Sequence, residues 1–320
     1  MRFGFCPPHR KIRQTACHHV EFIWLWRHKR HLDLQTICVT SEVSSSALVN
    51  GKSTRFLDIA DRGLQYGDGI FTTLSVQEGV AIFLYRHLKR LQADALRLNI
   101  PFPGFEILTE EVQRIGHMHP SCVLKIMLTR GLGGRGYLPP KQSQGTRILS
   151  SHPKPDYPKS IRESGVKARF CEIRLGLNPH LAGIKHLNRL EQVLARAEWD
   201  DGGIREGLML DHEGFLVEGV MSNLFLVNSG MLRTPLLERC GVAGVMRGLV
   251  LESAVFLGLA VEEARILPEE AYDADEIFLT NSVIGIWPVS LLDGKAYPVG
   301  SITRLLTRRI DEMVARELQL

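Results

Sequence analysis

Four kinds of side chain in this sequence could act together on a small molecule. Lys185 lies in LNPHLAGIKHLNRLEQVLAR, residues 177–196, after a turn at Asn178-Pro179 and a glycine at 183. An apolar stripe at Leu187, Leu190, Val193, Leu194 and Ala197 recurs at three and four residues, so a helix with a buried face is expected just beyond the lysine. A lysine held against such an element loses hydration, which disfavours its charged form and frees the amine to attack a carbonyl. Glu218 stands among apolar strand segments in GLMLDHEGFLVEGVMSNLFLV, where a carboxylate needs a partner; a rim glutamate facing water is an equal reading. Gly241–Arg247, GVAGVMR, opens a helix to about Leu257 that Gly258 stops. Its N–H groups and dipole suit a phosphate, or form a plain N-terminus without ligand. A helix over 86–98, with Leu88, Leu91, Ala95 and Leu98 on its core face, carries Arg86, Lys89, Arg90 and Arg97. One of these could reach an anion, though a solvated face is the default for all four.

The elements that must position these groups are legible in outline. Asn50-Gly51 between short apolar runs signals a hairpin. Asp61–Phe71, DRGLQYGDGIF, packs three glycines into seven residues and suits a close approach of backbone to a ligand or another subunit, or a plain tight connection. IFTTLSV and VAIFL read as strands joined at Gln77-Glu78-Gly79. SCVLKIMLTR is a buried-type strand running into Gly131–Gly136, GLGGRG, which matches GxGxxG. The dinucleotide reading fails because Tyr137-Leu138-Pro139-Pro140 cannot begin the required helix. A flexible loop presenting Arg135 and Tyr137 fits better. SHPKPDYPKS at 151–160 reads as an exposed linker. Beyond it come a strand near 166–173, a turn at Asp211–Gly214 and a strand ending at Thr280-Asn281-Ser282. A hairpin at Asp293-Gly294 and a closing helix with Ser301 as N-cap complete the chain. The expected architecture is α/β (α+β): an N-terminal α/β domain over 47–150, a linker at 151–163 and a C-terminal domain over 164–320.

At 320 residues, 44% hydrophobic and 23% charged, the composition is that of a globular protein with a sizeable core. No apolar run approaches the roughly 20 residues that span a bilayer. The six cysteines show no metal-ligand spacing and read as free thiols of a reducing compartment, so no metal is expected. The net charge of +4 resides wholly in residues 1–46, which hold seven Lys/Arg against three Asp/Glu. The balanced remainder offers nucleic acid no electrostatic footing. That basic segment, rich in histidine, matches no zinc-finger spacing and reads as a poorly ordered extension or as sequence upstream of the true start.

An amine, an isolated acid, a helix arginine and a phosphate-accepting helix N-terminus are together what pyridoxal phosphate needs. On DRGLQYGDGIFTT, RGLGGRGY and above all NPHLAGIKHLNRLEQVL, the chain from about residue 47 resembles the fold-type-IV pyridoxal-phosphate enzymes. That group holds branched-chain and D-amino-acid aminotransferases, and within it the chain is most similar to the aminodeoxychorismate lyases. The resemblance implies two α/β domains with the cofactor between them and a cytoplasmic homodimer with no nucleic-acid or membrane partner. Its substrate would be aminodeoxychorismate, cleaved to 4-aminobenzoate and pyruvate for folate synthesis; an aminotransferase on the same fold is the alternative. It implies Lys185 as Schiff-base lysine and general base, Glu218 at the pyridine nitrogen, and Arg90, Gly244, Val245 and Met246 at the phosphate. Asn223 and Asn281 are implied as polar cofactor-pocket positions, and Tyr66, Phe71, Arg135 and Tyr137 as substrate contacts.

Overall fold

The computed structural model describes residues 46–319. The basic segment expected at 1–46, apart from Ser46, lies outside them. Ala47–Val49 (β1) and Lys52–Ser53 (β2) form the hairpin about Asn50-Gly51, both of which take positive φ. After the short helix Arg62–Tyr66 (α1) come Gly69–Gln77 (β3) and Val80–Ala81 (β4). The helices Leu84–Arg97 (α2) and Phe105–Met118 (α3) then precede Cys122–Thr129 (β5) and Thr146–His152 (β6). These strands make a six-stranded sheet in the order β2-β1-β6-β5-β3-β4. Its core joins Leu74, Leu124 and Ile126 to Leu88 and Leu91 of α2 and Leu108, Val112 and Ile115 of α3. Burying each such side chain contributes about 1.5–3 kcal/mol. The α3 helix went unread in the sequence although Leu108, Val112 and Ile115 carry its spacing. VAIFL is a strand only at Val80–Ala81, because α2 begins at Leu84.

Residues 153–160 carry no regular element, and β6 extends to His152. The second half opens with Ile161–Ser164 (α4), Val166–Leu175 (β7) and Leu190–Arg196 (α5). Ile204–Asp211 (β8), Leu216–Gly219 (β9), Asn223–Asn228 (β10) and Met231–Pro235 (β11) follow. Val245–Phe256 (α6), Val261–Ala264 (β12), Pro268–Tyr272 (α7) and Glu276–Asn281 (β13) come next, then Gly285–Leu292 (β14), Lys295–Ala296 (β15) and Ser301–Glu317 (α8). The nine strands order as β12-β11-β10-β13-β14-β7-β8-β9, with β15 beside β14.

Two local expectations are corrected. Leu190, Val193 and Leu194 do not face a core: they are 76%, 60% and 56% exposed. Helix α5 starts five residues after Lys185 and buries Gln192 and Ala195 instead, because one of its faces borders a cavity. Ser301 is the first residue of α8 and caps nothing. The carboxylate of Glu276 does so, accepting from the N–H groups of Ile302 (3.1 Å) and Thr303 (2.8 Å).

Main-chain bonds tie the segment around Lys185 to both halves. The Phe71 N–H donates to the Lys185 carbonyl and the Leu187 N–H to the Gly69 carbonyl, each at 2.9 Å. On the other side, the Gly183 N–H reaches the Gly241 carbonyl (3.0 Å) and the Ala243 N–H the Gly183 carbonyl (2.9 Å). Gly69 is obligatory here, since a Cβ would lie 2.6 Å from Leu187 Cδ1 and 2.7 Å from the Leu128 carbonyl.

Candidate active site

A cavity of about 700 Å³ lies between the two sheets, in the range of small-molecule sites. Phe71 and Thr73 of β3 and Arg90 of α2 line it from one side. Lys185, Glu218, Asn223, Gly244, Val245, Met246 and Asn281 line it from the other. The structure thus brings together nine of the sequence-predicted site residues: Phe71, Arg90, Lys185, Glu218, Asn223, Gly244, Val245, Met246 and Asn281.

Lys185 Nζ sits 4.7 Å from the centre of the Phe71 ring. Burial, then the charge of Arg90, brings its ammonium down to about 7 against support from Glu218, so the amine is half neutral near physiological pH. Glu218 is buried at 4% exposure, which decides between the two sequence readings. Burial pushes its carboxyl pKa up; Arg189, the Val242 N–H at 2.8 Å, Lys185 and Gln192 oppose that push.

Arg90 belongs to a short polar chain. Its Nη2 donates to Thr72 Oγ1 at 2.7 Å, leaving the hydroxyl proton for His87 Nδ1 at 2.6 Å. His87, wholly inside and beside Arg90, is held well below its usual pKa and stays neutral. Arg90 Nε is buried without a partner. Close by, Gly244 precedes α6 with no side-chain cap on the helix's first N–H groups, and Gly244, Val245 and Met246 all line the cavity. Gly244 cannot be replaced cheaply, since a Cβ would come 2.0 Å from Asn223 Oδ1. A guanidinium with a spare donor beside an uncapped helix start is an anion cradle.

The two asparagines shape the wall. Asn223 Nδ2 donates to the Val242 carbonyl (2.9 Å), and Asn281 Nδ2 to the Met221 carbonyl (3.0 Å). Asn281 Oδ1 also accepts from the Val283 and Ile284 N–H groups.

Three expected substrate contacts do not line this cavity. Tyr66 Oη accepts from the Gly136 N–H at 3.1 Å, its ring meets that of Tyr137 edge-on at 5.5 Å, and Arg62 holds the Gly136 and Tyr137 carbonyls. Tyr137 is 86% exposed, and Arg135 stands exposed on the same loop.

Arg189 of the cavity lining and Lys125, outside the lining but against the Phe71 ring, escaped the sequence reading. Arg189 has a buried Nη2 without a partner and is the main charge supporting Glu218. Lys125 Nζ lies 4.7 Å from the other contact of Lys185, the Phe71 ring, and has no ion pair among the described residues. A spacing of four from Lys185 was the only signal for Arg189; Lys125 had none, since an isolated lysine in a strand reads as solvent-facing.

Residues 69–292 match the amino-transferase class IV family. The chain belongs to that family. It is 37% identical over 262 residues to the aminodeoxychorismate lyase of Vibrio harveyi, covering 81% of this chain and 97% of that protein. The crystal structure of 4-amino-4-deoxychorismate lyase from Pseudomonas aeruginosa superposes with a TM-score of 0.81 at 47% identity, over 83% of this chain and 98% of that one. A branched-chain-amino-acid aminotransferase from Pseudomonas aeruginosa is 29% identical over 251 residues, covering 74% of this chain and 80% of its own.

Proposed function

We propose that this chain is a pyridoxal-phosphate-dependent lyase that converts 4-amino-4-deoxychorismate to 4-aminobenzoate and pyruvate in folate synthesis. One observation carries the reading: a softened amine, a buried acid and an anion cradle line one cavity in a chain whose relatives include lyases of that name at 37% and 47% identity. The residues fit the cofactor. Arg90, with its unpartnered Nε, and the N–H groups at Val245 and Met246 would hold its phosphate; Glu218 would face the pyridine nitrogen; Lys185 would meet the aldehyde. Pyridoxal phosphate supplies, when bound, an aldehyde that takes an amine and a ring that accepts an electron pair.

The chain's own groups do the rest. Lys185, neutral in a good fraction of molecules near pH 7, takes the proton from the carbon that bears the substrate's amino group. Glu218, whose burial-raised pKa Arg189 does most to bring back down, would keep a proton on the pyridine nitrogen. Arg189 lines the cavity and Lys125 stands 4.7 Å from the centre of the Phe71 ring that lines it, and these two positive charges suit a dicarboxylate. The enolpyruvyl ether leaves with its C–O electron pair as enolpyruvate and becomes pyruvate when its methylene takes back the proton that Lys185 removed. The ring left behind is aromatic, so no second amino acceptor is consumed.

The protein works as a cytoplasmic homodimer in this reading. Exposed Phe56, Ile59, Leu64, Leu132 and Leu138 suit cover by a second copy. Tyr66, Arg135 and Tyr137, which turn away from this chain's cavity, would serve substrate across that contact. Three described cysteines are free thiols, and no helix among the described residues is long and apolar enough to cross a membrane. Incubating the holoprotein with 4-amino-4-deoxychorismate alone tests the assignment. Equal yields of pyruvate and 4-aminobenzoate are expected; turnover only on adding a keto acid and an amino acid would establish the aminotransferase instead.

A further inference from the structure

We propose that Asp94 is a positioning residue for Lys185, setting the amine in register with the phosphate-gripping arginine one helical turn away. Asp94 Oδ2 accepts the Lys185 main-chain N–H at 3.2 Å. The Lys185 carbonyl takes the Phe71 N–H at 2.9 Å, so both main-chain polar groups of Lys185 are held by the six-stranded half. One α2 face carries Arg90, Asp94 and Arg97, spaced by four and three residues. Arg97 Nη1 donates to the Ala182 carbonyl (2.8 Å) and Nη2 to the His180 carbonyl (3.2 Å). Arg90 Nη1 reaches the Ala243 carbonyl (3.3 Å), next to the helix start that completes the anion cradle. A single helix therefore holds the lysine segment by three hydrogen bonds, from Asp94 and Arg97, and the cradle by one from Arg90.

The helix dipole and burial both disfavour an aspartate at this place. It lies in the last turn of α2, where a carboxylate opposes the helix dipole, and it is buried at 4% exposure. Burial pushes its carboxyl upward, held back by the Lys185 N–H, Arg90, Arg97 and the Lys185 charge. What the carboxylate gains is tertiary: it fixes where the lysine leaves the chain. The inference rests on the functional reading for its kinetic consequence alone; the contact is tested without cofactor.

The first arm is amide hydrogen exchange, resolved to single residues over 180–187, on cofactor-free wild type, Asp94→Ala, Asp94→Asn and Arg97→Ala. Asp94→Ala should speed exchange at Lys185 about tenfold or more, whereas Asp94→Asn, which keeps an acceptor oxygen, should stay near wild type. Arg97→Ala, at an exposed site, should speed exchange across 182–185 with native melting. The second arm is steady-state kinetics of the holoproteins: Asp94→Ala should lose roughly 10²-fold in kcat with KM within about twofold, and Asp94→Asn should restore most of the loss. Unchanged exchange at Lys185 in Asp94→Ala overturns the proposal, as do equal kcat losses in the alanine and asparagine variants. Should Asp94→Ala not fold, Asp94→Leu, which keeps the bulk without an acceptor, takes its place, and unchanged exchange at Lys185 in that variant overturns the proposal. A wild type without lyase turnover removes the functional reading, and the exchange arm still decides the contact.

Discussion

Replacing Lys185 by methionine keeps the length and apolar body of the side chain and deletes the amine. Turnover should vanish, but the sharper consequence concerns folding of the cofactor-free protein. Burial and Arg90 bring the Lys185 pKa from 10.5 to about 7. At about 1.4 kcal/mol per pKa unit this corresponds to at most about 5 kcal/mol against folding, less what residual water at the cavity wall returns. Because the folded pKa is the lower one, the cost is present in full below pH 7, where both states hold the proton. Between 7 and 10.5 the unfolded chain binds the extra proton, so wild-type stability rises with pH, by roughly 1.4 kcal/mol per unit. Methionine lacks this dependence. Urea unfolding at about pH 7 and about pH 8.5 should therefore find Lys185→Met more stable at the lower pH, with a lead that shrinks by roughly 2 kcal/mol at the higher. Glu218 loses a positive neighbour in the variant, so the comparison is repeated in a Glu218→Gln background, which removes its titration. A lead that stays constant or widens with pH in both backgrounds would refute a desolvated amine at 185.

Three more outcomes follow from the cavity. Arg90→Ala should weaken pyridoxal phosphate by about 10–100-fold, read by equilibrium dialysis, because a charge-assisted partner is lost from the cradle; unchanged affinity would move the phosphate elsewhere. Gly244→Ala should cost both cofactor affinity and more than about 1 kcal/mol of stability, since its Cβ would fall 2.0 Å from Asn223 Oδ1; Asn223→Ala in the same chain should recover part of the affinity. Glu218→Gln should lower kcat by roughly 10²-fold or more while the protein still binds cofactor, measured by single-turnover kinetics; wild-type kcat would exclude an acid at the pyridine nitrogen.

What sequence could and could not show has physical reasons. The Asn50-Gly51 turn, the strands about Leu74 and Leu124 and the core face of α2 were legible because turn chemistry and burial period are local. So was the failure of Gly131–Gly136 to open a helix, since Pro139 and Pro140 forbid it. The mistaken face of α5 shows the limit: Leu190, Val193 and Leu194 have the spacing of a core helix, yet periodicity does not say which side meets the rest of the chain. Lys185, Glu218 and the α6 start were visible as chemistry in need of partners. Arg189, Lys125 and Asp94 were not, because their meaning comes from neighbours distant in sequence. The Glu276 cap on α8 was hidden for the same reason, with 26 residues separating it from Ile302.

The seam where Phe71 and Leu187 exchange main-chain bonds with Lys185 and Gly69 constrains how this catalyst can be rebuilt. A chimera that takes its first half from one relative and its second from another must match β3 to the lysine segment as closely as neighbouring strands match each other. Mismatch there would misplace the nucleophile without exposing any core, yielding a protein that is folded and inert. Divergence of substrate preference is then easiest in side chains facing the cavity, while the stitched backbone behind them changes only as a unit.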